Sequence, residues 1–472
     1  MPQEGSREPA ASLGLLDATM VGIGAMIGAG IFVLTGLAAE IAGPAALLVF
    51  ALNGGVTTFT ALSYAELASA IPKNGGGYAY IRETFSDPVA FVMGWTRWLT
   101  YTSAGALYAL GFSSNFVEFV HLYWTGLPGG ELAQLAYALL AVASFIALNA
   151  LSTEASGGAE TVVTLVKIGI LGVFIIAGIG AVSPSTFMGV EAGAGFGLSE
   201  FFSRGAMNVL PAMGLTFIAF QGYDLIATVT EEVENPRKNI PRAIFISLGA
   251  TVLIYLLVVG VALGTLGAPR LGAAGEKAVV EAAVSFMPDV ALFGASIGAA
   301  LIAFGAVFST ISALNAVVIG SSRIAFAMGR EGQLPGRLGR IHHEYGTPFV
   351  ALLASGAIML VATVAAPIRL VGNLASLFSL LGFVVVNLAV IKLRRTQPDL
   401  SRPFEVPFYP IPPILGIALN LLLGVYISPS TWGVAAGVLA FGAAVYVALN
   451  PETVGLGEPT EDGPDEAANP DD

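Results

Sequence analysis

The chain has 472 residues, of which 55% are hydrophobic and 11% charged, whereas soluble globular chains carry about a quarter of their residues as charges; an ordinary soluble globule is excluded. The net charge of −12 is unevenly spread, much of it falling after Leu449 in a stretch without a basic residue. The absence of cysteine removes disulfides and thiolate metal sites, and His121, His342 and His343 are too scattered to hold a metal.

Apolar runs long enough to cross a hydrocarbon core of roughly 30 Å recur along almost the whole chain. In lipid each run must satisfy its own backbone, which selects helix. Residues 1–12 are polar and of mixed charge, and lack the basic start and small-residue cleavage site of a removable signal. Twelve spans are predicted, at residues 15–38, 45–70, 88–120, 132–151, 161–182, 207–229, 244–266, 290–320, 348–366, 370–391, 411–427 and 432–449. Between the second and third, IPKNGGGYAYIRETFSD suits a cytoplasmic loop with a short interfacial helix. Residues 322–334 are basic and amphipathic and suit the inner interface. Six prolines between Thr396 and Pro413 mark a linker that separates ten spans from the last two. The chain therefore divides into an N-terminal tail (1–14), a first five-span set (15–182), an external loop (183–205), a second set (206–391), a Pro-rich linker (392–410), spans eleven and twelve (411–449), and an acidic tail (450–472). That tail reads as solvated and disordered. Fifteen arginines against five lysines, with acid in excess, suggest a salt-adapted host.

Orientation follows from the basic residues. Lys73, Arg82, Arg237, Lys238, Arg242, Arg330, Arg337, Arg340, Lys392, Arg394, Arg395 and Arg402 fall on one side, and Arg204, Arg270, Lys277 and Arg369 on the other. Twelve against four puts the richer side and both termini in the cytoplasm.

Three places depart from plain apolar helix. Span one holds Gly22, Gly24, Gly28 and Gly30, each of which weakens a helix by about 1 kcal/mol relative to alanine. Such glycines either break the helix or let neighbours pack closely, and Gly24 and Gly28 have the small-xxx-small spacing. Span six places Gly222 between Gln221 and Asp224 inside an apolar run. A carboxylate in lipid costs roughly 2.5–3.5 kcal/mol, so Asp224 faces a cavity or a partner, or fixes a helix pair. The two spans open corresponding five-span sets, and interrupted helices in matching positions point to a transporter binding site. There a half-helix N-terminus offers N–H groups to an anion while freed carbonyls accept from a cation, which suits a zwitterion. Lys167, the third signal, lies in span five about 10 Å from its cytoplasmic end at 1.5 Å per residue. Either it snorkels to the inner interface, or burial lowers its pKa so that it exchanges a proton during transport.

With these residues in view, the chain resembles the amino acid–polyamine–organocation superfamily, and within it the bacterial and archaeal relatives of the cationic amino acid transporters. The likeness rests on GAMIGAGIFVLTG in span one, SYAELASAIPKNGGGYAY leading to AFVMGW, FIAFQGYDLIATVTEEVENPRKNIPRAI from span six, SSRIAFAMGREGQLP, and SRPFEVPFYPIPP. It implies an all-α polytopic membrane protein of the LeuT type, with spans one to five inverted relative to six to ten and two further spans. It also implies that a substrate carboxylate meets the backbone N–H groups of Gly28, Ala29 and Gly30, and that its ammonium meets carbonyls of Met26, Ile218, Ala219 and Gln221. Phe220 and Tyr223 would gate or line the site. Ile218 stands where relatives often have an aromatic residue. Lys167 matches the lysine that fills the sodium site of sodium-coupled cousins, which implies proton coupling, with Ser309 to Asn315 as its hydrogen-bond partners. Cationic-transporter relatives commonly carry an acidic residue where this chain has Thr100, with Arg97 nearby, so a neutral substrate side chain is as well suited as a cationic one. The implied partners are an amino acid, protons and plasma-membrane lipid, with no cofactor, metal or nucleic acid. The expected activity is proton-coupled amino acid symport by alternating access, with uncoupled exchange and transport-inactive sensing as alternatives. No nucleophile–base constellation suggests an enzyme.

Overall fold

The computed structural model describes residues 13–72, 76–151, 157–190, 197–287, 291–292 and 295–450. The acidic tail, Lys73 and nearly all of the N-terminal tail lie outside them. Among the described residues helix dominates; extended pairing is confined to a two-residue antiparallel pairing of Ala291–Leu292 with Ala295–Ser296 and a parallel bridge between Leu13 and Val233. Helices α1 (Leu15–Met26), α2 (Ala29–Ala42) and α3 (Ala46–Ala70) are followed by α4 (Gly76–Thr84), α5 (Asp87–His121), α6 (Glu131–Leu151) and α7 (Gly157–Gly178). Two short helices, α8 (Pro184–Met188) and α9 (Leu198–Phe201), lie in the predicted external loop. Span six begins as α10 (Val209–Thr216) and continues as two 3₁₀ segments, Phe217–Phe220 and Tyr223–Glu232. Then come α11 (Pro236–Leu266), α12 (Ala268–Ala274), α13 (Ala278–Phe286), α14 (Ile297–Arg330), α15 (Phe349–Ala365), α16 (Ile368–Thr396), α17 (Ile411–Val425) and α18 (Pro429–Leu449).

Eight helical stretches are long and apolar enough to cross a membrane, and Phe349–Ala365 and Ile411–Val425 are shorter apolar helices. The chain is a multi-pass membrane protein. Burial sorts its helices. In the stretches containing the two interrupted spans, Leu15–Ala70 and Leu198–Glu232, 83% of the most apolar window is buried, against 22% in Glu131–Leu151 and 17% in Pro429–Leu449. The interrupted segments therefore form the centre, and the uninterrupted α6 and α18 face outward with Leu132, Leu140, Leu148, Val434 and Phe441 exposed. Helix α5 packs along α14 and α16, and its buried Thr96, Arg97, Thr100, Thr102 and Ser103 suit protein neighbours better than lipid.

Several boundaries differ from the sequence reading. Residues 322–330, expected at the interface, continue the span-eight helix, because nothing before Gly332 breaks it; there a positive φ of 74° lets Gln333 and Leu334 return their N–H groups to the Met328 carbonyl. Helix α16 runs to Thr396, five residues into the expected linker, since the first proline comes at Pro398 and Arg394 and Arg395 suit a helix C-terminus. Pro412 and Pro413 sit in the first turn of α17, where the missing N–H is not needed.

The motifs between spans find structural roles. Glu66, at the end of α3, is buried and accepts from Arg394 Nε and Nη2 at 2.8 and 2.6 Å and from the Val406 N–H at 2.7 Å. It thereby pins the linker to α3 and α16. Tyr78 in α4 donates to Gln333 Oε1 at 2.8 Å, and Arg82 pairs with Glu331, joining the glycine-rich segment to the turn after α14. Burial pushes the Tyr78 phenol up to about 12, which keeps it a donor. In EEVENP, Glu234 N–H and Leu13 C=O pair at 2.9 Å, as do Leu13 N–H and Glu232 C=O, so the start of span one is stapled to the end of span six. Asn235 takes a left-handed φ of 47°, which asparagine tolerates, and Pro236 opens α11.

Candidate functional site at the two helix breaks

Span one breaks where the sequence places its glycines. Helix α1 ends at Met26, Ile27 turns out with ψ of 63°, and Gly28 (φ −99°, ψ −137°) leads into α2. The break frees the last carbonyls of α1 and the first N–H groups of α2. Gly28 N–H returns to the Met26 carbonyl at 2.7 Å, whereas Ala29 and Gly30 occupy the first two positions of α2 and have no acceptor within it. Break two is longer. After the 3₁₀ turn at Phe217–Phe220, Gln221 is extended and Gly222 adopts φ of 141°, a region that only glycine enters easily.

The two breaks touch. A Cβ on Gly222 would lie 2.7 Å from the Met26 nitrogen, and one on Gly30 would lie 2.6 Å from the Ala219 Cβ. Both glycines are therefore required by close approach, and Met26, Gly28, Ala29, Gly30, Ile218, Ala219, Phe220, Gln221 and Tyr223 are all buried there.

The freed carbonyls of span one are met from three neighbouring helices. Lys167 Nζ on α7 donates to the Gly24 carbonyl at 3.0 Å, at the electronegative end of α1. Its side chain is 2% exposed and points into the bundle, so it does not snorkel. Thr164, one turn earlier, donates to the Met20 carbonyl at 3.2 Å. Ser309 on α14 donates to the carbonyls of Ile27 and Gly28 at 2.9 and 3.0 Å, so it serves the break directly, and Asn315 accepts from Asn149 at 2.8 Å. Tyr255 on α11 reaches both breaks: its hydroxyl lies 2.5 Å from the Met26 carbonyl and 3.0 Å from the Ala219 carbonyl. Ser376 on α16 accepts from the Ile218 N–H and donates to the Leu215 carbonyl, each at 3.1 Å, and so stitches the entrance of break two.

The two aromatic residues expected to gate or line the site face different clusters. Phe220 packs with Phe50 and Tyr255, with ring centroids 6.0 and 5.3 Å away. Tyr223 packs with Tyr64 and Phe383, at 5.8 and 5.9 Å. That second cluster surrounds a buried ion pair. Asp224 accepts the Gly222 N–H through Oδ1 at 3.0 Å and pairs with Arg97 through Oδ2. Arg97 also donates to the Tyr101 hydroxyl at 3.2 Å and lies over the Phe383 ring. Asp224 thus has a partner, and through it break two is tied to α5. Thr100, one turn beyond Arg97, is fully buried and donates to the Thr96 carbonyl at 2.9 Å.

Tyr255 and Ser376 are the site residues that sequence reasoning missed, and for Ser309 it did not foresee the contact with the break. Tyr255 stands alone among apolar residues, whereas Ser309 and Ser376 lie among other small polar residues (Thr310, Ser312; Asn373, Ser379); such hydroxyls announce a partner without naming it. The row Thr161, Thr164, Lys167 did carry a signal, since i, i+3, i+6 spacing places all three on one helix face.

Residues 13–449 match the family described as amino acid permease. The chain belongs to that family. Its members are membrane transporters, not enzymes. This permease is 32% identical over 457 residues to the methylthioribose transporter of Bacillus subtilis, covering 94% of each chain. To the branched-chain amino acid permease BcaP of the same organism it is 32% identical over 87% of each. To the serine/threonine exchanger SteT, also of Bacillus subtilis, it is 30% identical over 86% of this chain and 88% of the other. Among the described residues no cluster of histidine and acidic side chains could hold a metal.

Proposed function

We propose that this permease carries neutral amino acids across the plasma membrane by alternating access, in symport with protons. The observation that carries the proposal is the pairing of polarities at the breaks. The N-terminus of α2, with the Ala29 and Gly30 N–H groups, and the carbonyls of Met26 and Ala219 lie side by side. An α-amino acid has a carboxylate and an ammonium on one carbon, and such a site addresses both without side-chain charges. Gly28, Ile218 and Gln221 complete the main-chain shell.

In this account spans one to five and six to ten form an inverted LeuT-type repeat, spans eleven and twelve are appended, and both termini are cytoplasmic. The acidic tail 450–472 is a cytoplasmic extension. Phe220 and Tyr223 close the site toward different sides, because their aromatic partners differ. Thr100 sets selectivity: without a carboxylate there, and with Arg97 one turn away, a cationic side chain gains nothing. Lys167 couples the cycle to protons. A buried ammonium donating to the Gly24 carbonyl stabilises the geometry of α1, and its deprotonation removes charge from that contact. The likeness to an exchanger supports a second reading, in which Lys167 only braces α1 and substrate is swapped for substrate.

Purified protein in proteoliposomes distinguishes the two. Under symport, an inward proton gradient drives accumulation of labelled leucine or serine into vesicles that contain no amino acid. Uptake that requires internal amino acid and ignores the gradient establishes exchange instead. Inhibition by arginine, lysine and ornithine alone would overturn the neutral assignment.

A further inference from the structure

Two side chains beside break two are buried with hydrogen-bonding capacity unspent. Gln221 Nε2 and Ser379 Oγ have no partner, although Gln221 is only 7% exposed and Ser379 not at all. Leaving such groups dry and unpaired is costly. Helix packing brings Ser379 level with Thr100. Along α16, Gly372 lies against Leu107 of α5 and Gly382 against Thr96 and Arg97, so the two helices run antiparallel. Ser379, one turn before Gly382, is therefore opposite Thr100, one turn after Thr96. It shares a helix side with Ser376, which bonds Leu215 and Ile218, and with Phe383, which packs on Phe217 and Tyr223 at 5.9 Å. That side faces the stretch of span six that contains Gln221.

We propose that Thr100, Ser379 and Gln221 form the pocket for the substrate's side chain, and that this pocket selects a hydroxyl or carboxamide over an aliphatic group of the same shape. This rests on the reading that the breaks hold the α-carboxylate and α-ammonium, and it narrows the substrates to serine, threonine and asparagine rather than valine or leucine. Thr100 spends its only proton on the Thr96 carbonyl, which leaves its oxygen as an acceptor. The Gln221 amide nitrogen is a donor, and the Ser379 hydroxyl can be either. A hydroxyl or a primary carboxamide both donates and accepts, so it satisfies both kinds of group. A methyl group satisfies neither and shuts water out. The charge of Arg97 is taken up by Asp224, so nothing in the pocket rewards a charged side chain. Sites that hydrogen-bond a ligand's polar group reject the analogue lacking it far more strongly than apolar pockets reject an added hydroxyl.

Ligand pairs of matched shape test this: threonine against valine, and asparagine against leucine. Affinities are read from thermal stabilisation of the purified full chain, with alanine as a probe that carries both charges and a minimal side chain. Wild type is expected to bind threonine and asparagine at least about tenfold tighter than valine and leucine. Ser379→Ala and Gln221→Met should each lower that ratio about threefold or more, and together bring it to within about twofold of one. Ser379→Ala removes a single oxygen and serves alone if Gln221→Met does not purify. Valine and leucine bound as tightly as their polar counterparts by wild type overturn the polar pocket and leave the break site standing. A preference for threonine and asparagine that survives the substitutions overturns the role of these residues. If none of these amino acids stabilises wild type, the pocket and the underlying reading of the breaks both fall.

Discussion

Glycine 222 shows how one residue can be required by geometry from two sides. Its φ of 141° disfavours any side chain, and the nearest atoms to an added methyl belong to Ala25 and Met26 across the site. Gly222→Ala should therefore push the breaks apart. Labelled amino acid uptake should fall at least about tenfold, by the sensitivity of bound geometry to shifts near 1 Å, while the protein still purifies as a single species. Uptake within twofold of wild type would mean that the contact is incidental. Lys167 was legible as a charge in an apolar span, and only its target was hidden. With the ammonium donating to Gly24, Lys167→Ala should abolish the response of uptake to a proton gradient while substrate exchange survives. Lys167→Arg should not restore that response, since a guanidinium keeps its proton; gradient-driven accumulation at wild-type levels in either variant would refute proton coupling. The residues that escaped sequence reasoning, Tyr255 and Ser376, did so for one physical reason. A hydroxyl among apolar neighbours declares that it needs a partner, and the partner's identity depends on a helix crossing that only the folded chain defines.

Between elements, the interrupted spans are held by side chains from intact ones. Asn53 on α3 donates to the Met213 carbonyl and the Thr216 hydroxyl at 3.1 and 3.0 Å, bracing the first half of span six. Arg97 on α5 holds the second half through Asp224. Both members of that pair are almost wholly buried, so removing one charge strands the other. Asp224→Asn should lower stability by about 3–5 kcal/mol, read as a fall in the thermal unfolding midpoint. Adding Arg97→Met should recover most of the loss, because the asparagine carbonyl can still accept the Gly222 N–H and no lone charge remains. A double variant no more stable than Asp224→Asn would show that the pair contributes through something other than charge. The interruption of each span was legible from glycine placement and from a polar pair in an apolar run. The Arg97–Asp224 tie was not, although both charges were conspicuous, because pairing across distant spans leaves no periodic trace. Helix ends were misread where basic residues stood in for a linker, as at Arg394 and Arg395, since the same residues that mark a cytoplasmic loop also favour the last turn of a helix.

Taken as a whole molecule, the permease places its most buried segments at the centre and its most apolar surface outside, and the helix breaks fall where protein encloses them, as non-helical backbone at membrane depth requires. Composition and hydropathy made this arrangement legible, because lipid imposes both on every span; the positive-inside count adds an expected orientation. The topology they imply can be tested without background, since the chain has no cysteine. An impermeant maleimide applied from outside should label Ser430→Cys, which is exposed after α17, and should reach exposed Gly336→Cys only after permeabilisation; the reverse pattern would invert the orientation. The central claim, that the two touching breaks form the amino acid site, has a more direct test at Gly30, where an added Cβ would meet Ala219 of the facing break at 2.6 Å. The measurement is uptake of labelled amino acid by proteoliposomes containing equal amounts of monodisperse wild type or Gly30→Leu. The account predicts that the variant inserts and purifies normally yet neither binds nor transports; wild-type uptake by Gly30→Leu would contradict it.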